Sequence, residues 1–103
     1  MPSDEQRDRL LSAQRALGER YRATLAGDAA FFEHCLVEGN VHFEAVRRRA
    51  HRIRGAAGSF GFHELTEVAG LVDDADEGEQ AERCARLIEV LYAVARARPR
   101  GES

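Results

Sequence analysis

The stretch FEAVRRRAHRIRGAAGSFGFHELTEVAGLVDDA, residues 43–75, contains two helix patterns separated by a glycine-containing break. In both patterns the apolar residues recur every three or four positions, which keeps them on one face of a helix. The expected core positions of the two helices are Phe43, Val46, Ala50, Ile53, Ala57, Leu65, Val68, Ala69, Val72 and Ala75. The only prolines, Pro2 and Pro99, lie at the chain ends and break neither pattern.

The sequence before this stretch predicts two more helical segments. Ser3 and Gln6 have the spacing of a capping box, and an apolar stripe follows. We expect a break at Gly27, with Asp28 capping a shorter helix that ends at Gly39 and Asn40 capping the helix after it. The expected inward residues are Leu10, Leu11, Ala13, Leu17, Tyr21 and Leu25 in the first segment and Phe31, Phe32, Cys35 and Leu36 in the second.

After the stretch, the carboxylate run 73–79 predicts a solvated turn, and a final helix follows. Its expected inward residues are Ala81, Cys84, Leu87, Ile88, Leu91, Val94 and Ala95. Helices joined by short loops favour an all-α fold, an antiparallel four-helix bundle with an extra or broken N-terminal helix. We expect one domain over residues 1–103, with a disordered tail at 98–103.

Composition excludes several classes of function. The 103 residues contain no run approaching the ~20 apolar residues of a membrane span, and the polar N-terminus does not resemble a signal peptide. A net charge of -3 argues against a nucleic-acid-binding domain. Two cysteines, Cys35 and Cys84, are too few for a disulfide scaffold and are expected to be core thiols. A reduced, cytoplasmic protein is the simplest interpretation.

His51 is the candidate functional residue. On a helical wheel it lies roughly 120° from the centre of the core stripe and therefore faces water. Arg47 and Arg54 flank it one turn back and one turn on, and Arg54 is expected to have no fixed partner. Gly55 and Gly58 follow on the same side of the helix, where the lack of side chains could let another protein approach closely. A neutral imidazole is a nucleophile near pH 7. If the ring of His51 carried a phosphoryl group, Arg54 could donate hydrogen bonds to it.

The segment AHRIRGAAGSFGF, residues 50–62, followed by Leu65 and Leu71, resembles the signature of histidine-containing phosphotransfer (Hpt) domains. The resemblance implies a four-helix bundle in which His51 accepts and donates a phosphoryl group in a two-component phosphorelay. Arg54 takes the place of the family's usual Lys. It also implies that Gly55 leaves space for phosphate and partner, and that Gly61 makes the turn between the central helices.

Chemotaxis-kinase phosphotransfer domains resemble the chain in this motif and carry a His and, three residues later, a carboxylate on the next helix. Gly70 and Asp73 occupy those places here, so Asp73 is a candidate for orienting His51. The implied partners are a response-regulator receiver domain and a histidine kinase. The expected docking surface includes Arg47, Arg48, Gly55 and Gly58. We expect a monomeric phosphocarrier with no cofactor of its own, because the partner receiver supplies Mg²⁺.

Three alternatives stay open from the residues alone. The first is a docking domain that is never phosphorylated. The second is a metal-binding bundle that uses His34, His42, His51, His63 and the two cysteines, although no pair among them has metal-ligand spacing. The third is a nucleic-acid patch built from Arg47, Arg48, Arg49, Arg52 and Arg54. A solvated helix face explains these arginines better, and His34, His42 and His63 are expected at the surface.

Overall fold

The computed structural model describes residues 3–97, which form α-helices and one short 3-10 turn without strands. The α-helices are α1 (Asp4–Arg22), α2 (Leu25–Glu38), α3 (Phe43–Ser59), α4 (His63–Asp73) and α5 (Gln80–Arg96). The 3-10 turn, Asn40–His42, joins α2 to α3. The predicted tail at 98–103 lies outside the described residues. No helix within residues 3–97 is long and apolar enough to cross a membrane.

The core lies among α2, α3, α4 and α5. Helix α3 packs on α4, and α5 packs on both α2 and α4. Burying a large apolar side chain contributes roughly 1.5–3 kcal/mol, so this shared core holds the four helices together. Its largest fully buried members are Phe32, Leu25, Ile53, Leu65, Leu87, Leu91, Val72 and Cys84. The prediction of an all-helical bundle is confirmed.

The N-terminal helix differs from expectation. The Ser3–Gln6 capping box is present, but no residue of α1 is buried. Leu10, Leu11 and Leu17 are 61%, 51% and 51% exposed, so the predicted inward stripe does not reach the core. The helix bends at residues 23–24, before the predicted break at Gly27, which lies inside α2. Helix α1 therefore lies outside the shared core and extends the bundle at the N-terminal end of α2.

Asp28 is buried in the first turn of α2, so its predicted role as an N-cap is wrong. Its Oδ1 accepts a hydrogen bond of 2.7 Å from Nη1 of Arg49. The same guanidinium lies 4.0 Å from the centre of the Phe31 ring. A carboxylate that is taken out of water needs a charged partner, and Arg49 supplies it from α3. Arg49 therefore belongs to the α2–α3 contact and not to a basic surface patch.

The turn between α2 and α3 begins where expected but ends differently. Gly39 has a φ of 82° and ends α2, as predicted for a glycine C-cap. The expected N-cap at Asn40 is wrong, because the 3-10 turn intervenes and His42 precedes α3 without a side-chain cap. Gln80 Nε2 donates a 3.0 Å hydrogen bond to the backbone oxygen of Phe43. This bond fixes the start of α3 against α5.

Gly61 makes the turn between α3 and α4 with a φ of 79°, a conformation that favours glycine. The Phe62 N–H donates to the Ala57 oxygen at 3.0 Å and closes the turn. Phe60, which precedes this glycine, lies outside the buried core and is 36% exposed. Its ring instead stacks on Tyr21, with centroids 5.3 Å apart. This contact attaches the C-terminal end of α1 to the bundle.

The acidic segment 73–79 forms a mostly exposed turn, as predicted, and local hydrogen bonds hold its shape. Asp76 and Glu79 exchange hydrogen bonds, since each backbone N–H donates to the other's carboxylate, at 2.9 and 3.1 Å. Ala75 is buried, as predicted, and holds the segment against the core. Asp73 ends α4 with a mostly covered side chain. The segment therefore places Asp73 firmly beside α3.

We expect both cysteines to resist alkylation in the native protein at pH 8. Cys35 and Cys84 are free and buried. Burial raises the pKa of Cys35, while burial and the neighbouring Cys35 raise the pKa of Cys84 to about 12. The thiolate is the reactive form. Iodoacetamide labelling followed by mass spectrometry should show modification only after unfolding in guanidinium; rapid labelling of the native protein would contradict the prediction. Because the folded pKa of Cys84 is raised, its contribution to stability is complete below pH 9 and declines between pH 9 and 12.

Candidate functional site

His51 lies on the outer face of α3, opposite the buried residues Val46, Ala50, Ile53 and Ala57. Its side chain is 76% exposed. The prediction from the helical wheel that this histidine faces solvent is confirmed. A protein partner can therefore approach the imidazole without any movement of the bundle.

Asp73 holds one side of the imidazole. Its Oδ2 lies 2.8 Å from Nδ1 of His51, and only 11% of the Asp73 side chain is exposed. A carboxylate accepts hydrogen bonds, so in the neutral imidazole this contact favours the tautomer with the proton on Nδ1 and the lone pair on Nε2. The packing of α4 on α3 brings together two residues that are 22 positions apart in the sequence.

Arg54 also contacts this carboxylate, so the expectation that it has no fixed partner is wrong. Its Nη1 lies 3.4 Å from Oδ2 of Asp73 and 3.8 Å from Oδ1 of Asp74. Its side chain remains 47% exposed. One carboxylate oxygen therefore joins the imidazole of His51 to a guanidinium one helical turn away.

Gly70 makes room for Arg54 against α4. A Cβ at this position would lie 3.3 Å from Nε and 3.5 Å from Cδ and Cζ of Arg54. Any larger side chain would push the guanidinium away from Asp73. The glycine that stands in the place of a His in chemotaxis-kinase domains thus has a local steric explanation.

A shallow hollow beside the imidazole is lined by Arg47, Arg48, His51 and Asp73. Arg47 and Arg48 are exposed, and Arg47 Nη2 lies 3.2 Å from Oε2 of Glu44. Two cationic side chains thus border the hollow on α3. Together with Arg54 they make the surroundings of His51 favourable for an anionic group.

Gly55 and Gly58 leave part of this face without side chains. A Cβ on Gly55 would meet nothing within 4 Å, and one on Gly58 would make only ordinary contacts of 3.7 and 3.8 Å with Thr66. Alanine is more stable than glycine in a helix by about 1 kcal/mol. Packing within the bundle therefore explains neither glycine.

Comparison with known proteins identifies a family. The family model of the Hpt domain matches residues 3–97. The chain belongs to the Hpt domain family. Hpt domains are phosphocarrier modules of two-component phosphorelays and interact with histidine kinases and response-regulator receivers. No curated protein and no solved structure matches the chain significantly.

One side-chain cluster of this Hpt domain was missed by sequence reasoning. His34, Glu38 and His42 converge at the end of α2 and in the 3-10 turn. Their four-residue spacing is visible in the sequence, but the metal-binding alternative predicted from the sequence contained only histidines and cysteines. The other members of that set do not join the cluster: His51 contacts Asp73, His63 is exposed at the start of α4, and both cysteines are buried.

Proposed function

We propose that this chain is a phosphorelay intermediate whose His51 accepts a phosphoryl group on Nε2 and passes it on. The observation that carries the proposal is the exposed imidazole whose Nδ1 is engaged by Asp73. This contact leaves Nε2 as the nucleophilic nitrogen. Family membership supports histidine phosphotransfer in general, and the geometry supports His51 as the acceptor.

In the proposed reaction, the Nε2 lone pair attacks the phosphorus of an aspartyl phosphate on a receiver domain. A P–N bond forms while the P–O bond to the aspartate breaks, and the aspartate leaves as a carboxylate. Positive charge develops on the imidazole ring during the attack. The carboxylate of Asp73 stabilises this charge through the Nδ1–H hydrogen bond and keeps the ring oriented. Transfer in the other direction reverses each step.

We propose that the guanidinium of Arg54 donates hydrogen bonds to the oxygens of the phosphoryl group bound to Nε2. Positioning and electrostatics dominate phosphoryl transfer, so this domain would contribute one positioned nucleophile and one cation. Mg²⁺ would be held by the partner receiver, and the chain would need no cofactor of its own. We therefore propose a cytoplasmic, monomeric phosphocarrier that transfers phosphate only together with a partner, and not an enzyme with its own substrate pocket.

The proposed docking surface is the face of α3 around His51. Arg47 and Arg48 would attract the acidic groups that surround a receiver's aspartate. Gly55 and Gly58 would let the partner approach the helix backbone closely. The absence of a packing role for either glycine supports this assignment.

The experiment that tests the proposal is incubation of the chain with a ³²P-labelled phosphorylated receiver domain. A labelled phosphohistidine, which is labile in acid and stable in base, is the expected product. Binding of the receiver without any transfer of label would favour the alternative of a docking domain that is not phosphorylated. An acid-stable adduct would contradict histidine as the acceptor.

Replacing Arg54 by alanine should slow transfer or shift its equilibrium by at least several-fold. A charge-assisted hydrogen bond contributes roughly 1.5–3 kcal/mol, equivalent to a factor of about 10 to 150 when it is fully expressed. Stability should change by no more than about 0.5 kcal/mol, because the side chain is half-exposed. Arg54→Lys should recover much of the loss. Rates from quenched-flow labelling and melting temperatures from circular dichroism measure both quantities.

Two further variants separate a specific role of Arg54 from general charge. Arg52→Ala removes an exposed guanidinium that borders a different hollow, with Tyr21 and Asp28, and should change little. Gly70→Leu keeps Arg54 but moves its guanidinium from the place beside His51 where it can reach the phosphoryl group, so this variant, once shown by circular dichroism to be folded, should slow transfer about as much as Arg54→Ala. The double variant Arg54→Ala/Gly70→Leu should then transfer phosphate no more slowly than either single variant. Equal losses in Arg52→Ala and Arg54→Ala would indicate electrostatic attraction of the partner alone.

A further inference from the structure

A second constellation of chemically active side chains lies at the junction of α2 and α3. His34 and Glu38 occupy successive turns of α2, and His42 is the last residue of the 3-10 turn. The carboxylate of Glu38 lies between the two imidazoles: Oε1 contacts Nε2 of His34, and Oε2 lies 3.1 Å from Nε2 of His42. The chain reversal at Gly39 brings His42 back toward α2.

We propose that His34, Glu38 and His42 form a binding site for a divalent first-row transition-metal ion such as Zn²⁺. Two imidazoles and one carboxylate are a ligand set that suits zinc, nickel and copper, whereas Mg²⁺ and Ca²⁺ prefer oxygen ligands alone. Each residue offers one ligand atom, and these atoms all lie within 4.8 Å of one another.

The geometry needs only a small closure to hold the ion. Ligand atoms about 2.0–2.2 Å from a tetrahedral zinc lie roughly 3.4 Å from each other. The contacts through Glu38 already bring each imidazole close to the carboxylate, so the remaining movement brings the two Nε2 atoms together. His34 and Glu38 have exposed side chains that can move without disturbing the core. Each imidazole would bind through Nε2 with its proton on Nδ1, and water would occupy the fourth position.

The site would connect the end of α2 to the start of α3. At that junction His42 makes no side-chain cap on α3, so a bound ion would add a link between α2 and α3. An ion bound only by the folded chain raises the melting temperature in proportion to the logarithm of its free concentration. His42, the proposed ligand nearest to His51 in the sequence, precedes it by nine positions, which corresponds to about 13.5 Å along a helix. Metal binding should therefore stabilise the fold without taking part in phosphotransfer at His51.

The test is calorimetric titration of ZnCl₂ into the full chain, purified without a polyhistidine tag and treated with EDTA. We expect one Zn²⁺ per chain and a melting temperature that rises by several degrees in excess zinc. His34→Ala and His42→Ala should each weaken binding by at least about tenfold, since even residues behind the ligands change metal affinity 10–100-fold. Their helicity without metal should equal that of the unaltered chain.

His63→Ala is the matched control. His63 and Glu67 have the same four-residue spacing on exposed positions of α4, but Leu71 follows where a second histidine would be needed. This variant should bind zinc normally. The proposed site would be overturned if the unaltered chain did not bind zinc at a zinc concentration of about 1 mM. Equal weakening of zinc affinity in the variants of His34, His42 and His63 would also overturn it. Phosphorylation at His51, measured separately, should be the same in His34→Ala and His42→Ala, so the zinc result does not depend on the proposed function.

Discussion

Replacing His51 by glutamine should abolish phosphorylation of the chain. The amide of glutamine has no nucleophilic nitrogen that could take the place of Nε2, although it can still donate a hydrogen bond to Asp73. His51 is 76% exposed and contributes nothing to the core. The free energy of unfolding should therefore change by no more than about 0.5 kcal/mol, and the melting temperature should change little. Labelling by a phosphorylated receiver and thermal unfolding followed by circular dichroism check the two parts of this prediction.

The other histidines supply the controls. His34, His42 and His63 lie at or near the surface, away from Asp73, and their glutamine variants should be phosphorylated at the normal rate. Peptide mapping of the unaltered chain should place the label on His51 alone. Label retained by the His51 variant, or found on another histidine, would show that the acceptor is misassigned.

A glutamate at position 55 should block transfer while leaving the bundle folded. A side chain there meets open space, and an exposed helical glycine costs about 1 kcal/mol relative to alanine, so folding should not suffer. The added carboxylate would lie one helical turn from His51, where a phosphoryl group and an acidic partner must approach. Juxtaposed like charges cost several kcal/mol. We therefore expect the second-order rate of transfer to fall by about a hundredfold or more.

Gly27→Glu is a matched control for this variant. Gly27 is another exposed helical glycine whose added Cβ meets nothing within 4 Å, but it lies on α2 and away from the proposed docking surface. It should fold and transfer normally. Gly55→Ala should show an intermediate loss, because it adds bulk without charge. If Gly55→Glu unfolds while its folded fraction transfers at the normal rate, Gly55 serves packing and not docking.

The buried residues of α3 and α4 were predictable because the face on which apolar residues recur is also the face that other helices cover. Residues such as Val46 and Val72 are inward in both the sequence pattern and the structure. The same spacing failed for Leu10 and Leu17. Periodicity shows that a helix has an apolar face, but it does not show whether another helix covers that face.

Residues that interact across helices were harder to predict from sequence. The pairing of Asp28 with Arg49 depends on where α3 lies relative to α2, and local rules for helix caps suggested a different role for Asp28. The proximity of Asp73 to His51 came from family resemblance and not from spacing, since it depends on the relative positions of α3 and α4. Arg54's contact with Asp73 was missed because its path over Gly70 is visible only in three dimensions.

The position of Arg54 has a consequence for the energy of the proposed phosphohistidine. Before phosphorylation its guanidinium already faces an anion, the carboxylate of Asp73. A phosphoryl group on Nε2 would compete with that carboxylate, so the net stabilisation would be the difference between two ion pairs and not the full strength of one. A histidine that bound its phosphate too favourably would trap it. By exchanging one anion for another, this arrangement would keep the phosphorylated and free forms close in energy, as reversible transfer between two partners requires.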